Sequence, residues 1–205
     1  MYRQTILAAL AALSVSAVAF AAPPSVTEAP APASIKKLTP QGSHSGRFLT
    51  LNFGVPGGKI ILHAFTVGEG EAATGYIDVF SPTGKRIQRF ELEFPAPAQK
   101  PGAYRVKALW TAPGKQRLPM VLFEGTDDHL VLVFPLGFGK VGSMQLFSEL
   151  AEDGRRETTF DELDKRGLRM VRIDVNEPAS GDKPAHKETI YYVWGTSKFV
   201  ERKQK

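Results

Sequence analysis

The sequence predicts an all-β protein: antiparallel sheets from about three propeller-blade-like or sandwich-like units, with at most short helices. Three observations carry this expectation. Apolar residues recur at every second position in short runs, reversals rich in Pro and Gly separate the runs, and a glycine leading into an apolar stretch returns three times. A strand with one wet face alternates in this way because successive side chains point to opposite sides of a sheet.

Taken in order, the chain opens with Arg3, an apolar run from Ile6 to Phe20 and the triplet Ala19-Phe20-Ala21. Residues 1–21 therefore read as an export signal with a small-residue cleavage site, and the expected destination is the periplasm or the exterior. The run is short and alanine-rich, and no later stretch approaches the roughly 20 apolar residues of a spanning helix. No transmembrane segment is expected after cleavage. Residues 22–46 are poor in large apolar side chains, and Pro23, Pro24, Pro30, Pro32 and Pro40 favour an extended tether. A single β domain is expected over 47–200, with a flexible basic tail at 201–205.

Within that domain RFLTLNF places Leu49, Leu51 and Phe53 on one face. YRVKALW groups Tyr104, Val106, Ala108 and Trp110, and QRFELEF groups Phe90, Leu92 and Phe94. VPGGK, SPTGK, APGK and WGTSK supply the Pro and Gly that tight reversals need. Helical signal is scarce. TTFDELDKRG is the best candidate, with Thr159 as cap, Glu162 three residues on and Gly167 as terminator. QLFSELAED reads equally as a second short helix or as a strand running into a polar turn.

The recurrence has a definite form. GGKIILHAF, GKQRLPMVLFEG and GLRMVRIDV are each followed by an aromatic strand and its return: YIDVFSPTGKRIQRF, HLVLVFPLGFGKVGSMQLF and TIYYVWGTSKFV. The anchoring glycines Gly58, Gly114 and Gly167 lie 56 and 53 residues apart, near the longer periods of propeller blades. One such unit cannot bury both faces of a small sheet, so neighbouring units must pack against each other; three blades are too few for an ordinary closed propeller, and an open array, a sandwich or closure by self-association all fit.

At the third block, TFDELDKRGLRMVRIDV followed by IYYVWGTSKFV resembles the repeats of secreted FG-GAP or VCBS-type proteins. The resemblance covers roughly residues 159–200, with fainter echoes at 110–147 and 53–90. It implies a blade-like strand order. It also implies an Asp-rich turn that often binds calcium in that family. Here the turn offers Asp161 and Asp164, with Glu162 as a further candidate, while Lys165 and Arg166 add positive charge where oxygen ligands would help. A vestigial site is expected, and no metal.

Composition narrows the chemistry further. The chain has no cysteine, which excludes disulfides, thiolate metal sites and a lipidated cysteine anchor. The net charge of +5 is spread along the sequence rather than gathered with stacking aromatics, so no nucleic-acid partner is expected. No compact zinc, phosphate-loop, dinucleotide or nucleophile-elbow motif occurs, and no cofactor is expected. His63 sits in the apolar run ILHAF and reads as a core or interface histidine.

The chemically active candidates are few. Asp127 and His129, on either side of Asp128, could share one strand face and support proton transfer or ligation. Trp110, Tyr192 and Trp194, with Tyr191 and Phe199, could form an aromatic platform if they reach solvent. Adjacent Tyr191 and Tyr192 must point to opposite faces. Phe138 tips the glycine-rich loop FPLGFGKVGS, a natural place for contacts. The expected function is non-catalytic recognition of a protein or cell-envelope polymer. The alternative is a small periplasmic enzyme or ligand-binding protein with a pocket near Asp127–His129.

Overall fold

In the computed structural model the described residues are 23–28, 33–36, 43–44, 48–69, 72–92, 104–112, 117–125, 128–135, 139–148, 150–151 and 154–202. The export segment 1–21 and Phe94 lie outside them. No helix among the described residues is long and apolar enough to cross a membrane.

Alternation becomes strand throughout. The first sheet holds β1 (Ser25–Glu28), β2 (Ser43–His44), β3 (Phe48–Asn52), β4 (Lys59–Val67), β5 (Thr74–Phe80) and β6 (Arg86–Leu92). Its order is β1-β3-β4-β5-β6, with β2 also pairing to β4. The second holds β7 (Arg105–Trp110), β8 (Pro119–Glu124), β9 (Asp128–Val133) and β10 (Met144–Ser148), in the order β10-β9-β8-β7. The third runs β11 (Leu150–Ala151), β12 (Gly154–Leu163), β13 (Arg169–Glu177), β14 (His186–Trp194) and β15 (Phe199–Arg202) in chain order. All of these pairings are antiparallel.

Each sheet therefore contains four longer strands in up-and-down order: β3 to β6, β7 to β10, and β12 to β15, the last set preceded by the two-residue β11. The three glycine-led apolar segments fall on the second strand of each run. At the reversals, Gly84 (φ 84°) and Gly167 (φ 77°) take up left-handed backbone. Their N–H groups close the turns onto Ser81 and Asp164 carbonyls at 3.0 and 2.8 Å, a conformation that Gly reaches without steric cost.

The layers stack first on second on third. Leu49, Leu51, Phe53, Ile60, Leu62, Ile77 and Val79 of the first sheet meet Val121, Phe123, Leu130 and Leu132 of the second. The opposite face of the second sheet, with Met120, Leu122, Val131 and Val133, meets Phe160, Val171, Ile173 and Val175 of the third. Burial on both faces explains why β8 and β9 read as unbroken apolar runs while β3 and β13 alternate.

Two segments depart from the sequence reading. TTFDELDKRG is not a helix: it forms the end of β12 and the turn after it, with a bulge between Thr159 and Glu162. Strand pairing to β13 delivers Phe160 into the core, a gain that a two-turn helix with a weak cap does not offset. QLFSELAED takes its strand alternative in β10 and β11. The proline-rich segment 22–46, in turn, contributes β1, whose Val26 pairs with Leu51. It also contributes the short helix α1 (Ala33–Lys36). Ile35 of α1 is fully buried against Ile61 and Phe80 on the far face of the first sheet, with Phe48 beside them.

The second and third sheets are clasped by hydrogen bonds as well as packed. Gln145 on β10 donates to the Phe199 carbonyl (3.2 Å) and accepts from the Phe199 N–H (2.7 Å). Its amide thus imitates a neighbouring strand at the β15 edge. Ser143 Oγ donates to the Ser197 carbonyl at 2.8 Å, and the Arg169 N–H to the Thr111 carbonyl at 2.9 Å.

Candidate functional site

Three of the sequence-predicted residues converge, but inside the molecule. His129 lies on the β9 face turned to the third sheet, 3 % exposed, its ring 5.2 Å from Phe160. Tyr192 meets Phe147 edge-on at 5.4 Å, and Trp194, 4 % exposed, meets Phe199 at 5.3 Å. Phe147 also touches Phe160 and Phe199. This aromatic cluster is the mortar between two sheets. Trp110, half-buried at the end of β7, packs on Phe53 at 5.5 Å under the Arg117 guanidinium, 4.0 Å from its ring. Asp127 and Phe138 lie outside the described residues.

The Asp-rich turn is occupied by its own backbone. Asp164 Oδ1 accepts the N–H groups of Arg166 (2.8 Å) and Leu168 (2.9 Å), and Oδ2 accepts Arg166 Nε (3.0 Å). Burial pushes this carboxyl up, but the Leu168 and Arg166 contacts overcome it and hold the group below its ordinary value. The side chain of Asp161 lies outside the described residues. Among the described residues no group of three or more His, Asp or Glu side chains is placed to hold a metal.

Sequence reasoning missed a polar rung on the first sheet. Phe48, His63, Asp78 and Arg89 are successive cross-strand partners on β3, β4, β5 and β6. Asp78, 1 % exposed, takes both ends of the Arg89 fork at 2.7 Å. His63, also 1 % exposed, lies flat on Phe48 (3.8 Å, 8°) and against Phe65 (4.8 Å). Burial pulls its pKa from 6.5 to about 4, with Asp78 opposing and Arg89 assisting. Asp78 is spent on an ion pair and His63 is sealed, so the rung serves to join strands.

The third sheet's outward face is different. Its residues are the ones that alternate with the inward-facing set. Register places Met170, Val193 and Val200 in one rung and Arg172, Tyr191 and Arg202 in the next. Val200 is 50 % exposed, and Met170 and Tyr191 are half-buried. Arg172 Nε reaches Asp174 at 2.9 to 3.1 Å, and Asp174 also accepts Thr189 Oγ1 at 2.7 Å. At the end of the sheet, where the β12–β13 and β14–β15 turns come together, an open depression of about 460 Å³ is lined by Arg166, Leu168, Val193, Thr196, Val200 and Arg202, among others. The Tyr191-Tyr192 doublet was the one sequence signal of this face.

The described residues define an all-β protein of three stacked antiparallel sheets, with an amphipathic face of the third sheet turned outward. No family model, curated protein or solved structure matches the chain.

Proposed function

We propose that this is an exported, non-catalytic β protein that recognises a protein or envelope polymer through the outer face of its third sheet. One observation carries the reading. That face sets the half-exposed Val200 and the half-buried Met170 beside a tyrosine flanked by two arginines, on strands held rigidly by the core behind them. Apolar and aromatic surface rimmed by charge marks contact sites. The basic residue and apolar run at the N-terminus support an extracytoplasmic setting. The recurring four-strand order supports blade-like repetition of the FG-GAP or VCBS kind. A catalytic pocket at Asp127–His129 has less to build on, since His129 is turned into the core.

The test is retention of the purified chain on separated envelope fractions. Val200→Asp introduces a charge on the face without touching the core, so its melting curve should match the unaltered protein. Retention should fall at least tenfold, the size of one lost apolar contact with an added desolvation cost. Unchanged retention by a folded Val200→Asp protein refutes the reading.

A further inference from the structure

We infer that the depression at the end of the third sheet binds a carboxylate-bearing polysaccharide, with Arg202 as the principal anion contact. This deepens the proposed recognition role and rests on it. The first support is charge. Lys165, Arg166, Lys198 and Arg202 are all exposed around the two turns and the adjoining end of β15. Of the acids whose side chains are described nearby, Asp164 is already committed to Arg166 and to the turn backbone, and Glu201 stands at the rim. With Arg166 and Asp164 set against each other, Lys165, Lys198 and Arg202 still outnumber Glu201 among the described side chains, and an anionic ligand is favoured.

The second support is the floor. Val200, 50 % exposed, gives an apolar base beside Arg202, with its cross-strand partner Val193 buried next to it. Tyr191 stands next to Arg202 as its cross-strand partner. A pyranose ring offers an apolar C–H face for such a base and for the face of an aromatic ring, while its carboxylate matches the planar guanidinium fork.

The third support bears on the alternative partner, an acidic polypeptide. An extended peptide gains most of its affinity by adding a strand to an open edge. At β15 the outward N–H and carbonyl of Phe199 are already taken by Gln145. That capped residue shortens the edge open to strand addition, while the side chains of the face stay open to a sugar chain.

The experiment measures binding of the full mature chain to polygalacturonate, with neutral dextran and poly-glutamate as comparison polymers. The expected result is salt-sensitive binding to polygalacturonate, none to dextran, and binding to poly-glutamate at least about tenfold weaker. Arg202→Glu should weaken polygalacturonate binding by about tenfold or more, the loss of one charge-assisted contact. Lys85→Glu makes the same charge change on the exposed Ser81–Lys85 turn of the first sheet and should leave binding within about twofold, as a screened distant charge does. If Arg202→Glu melts early, Arg202→Gln carries the same expectation. Absence of binding, equal binding of poly-glutamate, or equal losses in the Arg202 and Lys85 variants overturns the inference. Failure here, with Val200→Asp still abolishing envelope retention, removes the polysaccharide alone. Unchanged retention by Val200→Asp removes the recognition surface itself.

Discussion

Acidifying the protein from neutral pH to pH 4 should strip away stability through one side chain, His63. The ring is 1 % exposed and pressed between Phe48 and Phe65, so a proton on it has little water to solvate the charge. Burial is the largest cause of its lowered pKa of about 4; neighbouring Asp78 pushes the other way and Arg89 adds to the fall. In the unfolded chain the same imidazole takes up its proton near 6.5. Between those two values the unfolded state binds more protons than the folded one, so folding stability falls as pH falls. The contribution is present in full above about 6.5 and gone below about 4. At 1.36 kcal/mol per pKa unit it amounts to about 3 kcal/mol. Urea unfolding at pH 7.0 and pH 4.5 reads it directly as a shift in midpoint at constant m. His63→Leu supplies the reference, since it keeps the apolar contacts and cannot titrate. The wild-type loss between the two pH values should exceed that of His63→Leu by about 2 to 3 kcal/mol. Identical losses would refute the reasoning, because the remaining carboxylates and histidines are common to both proteins.

Four further outcomes follow from the same geometry. Asp78→Ala leaves the Arg89 guanidinium over the Phe65 and Tyr76 rings without its carboxylate and should cost about 3 kcal/mol in urea unfolding, the range for breaking a largely buried pair. Gln145→Ala removes both amide contacts to Phe199 and should cost about 1 to 2 kcal/mol; native-state hydrogen exchange should show the loss first in β15. Trp110→Ala empties a half-buried site against Phe53 and should lower stability by about 2 kcal/mol, with an unchanged melting curve as the contrary result. Added calcium should leave the melting temperature unchanged, since the Asp164 carboxylate is already held by Arg166 and the turn backbone; a chelator-reversible rise would show otherwise.

Strand faces were legible in the sequence because the period of two is local. Leu49, Leu51 and Phe53 needed only their immediate neighbours to be assigned inward, and all are buried. The stretch 159–167 was misread for a complementary reason: its cap and terminator are local helix signals, while the strand pairing that overrides them lies on β13. The His63–Asp78–Arg89 rung was invisible because it depends on register across three strands. Two polar residues in ILHAF and YIDVF hint at it only once those segments are known to lie side by side. For the aromatic candidates, residue type was informative and direction was not. Tyr192 and Trp194 fell on the inward parity of β14 and Tyr191 on the outward one.

Sandwiching the middle sheet has a consequence for how the chain comes into being. A chain emerging from its N-terminus completes β7 to β10 before residues 154–202 exist to cover them. Through that interval Met120, Leu122, Val131 and Val133 form a greasy plane with no lid. The half-made molecule is thus the adhesive one, and fragments stopping short of Gly154 should clump more readily than the full chain.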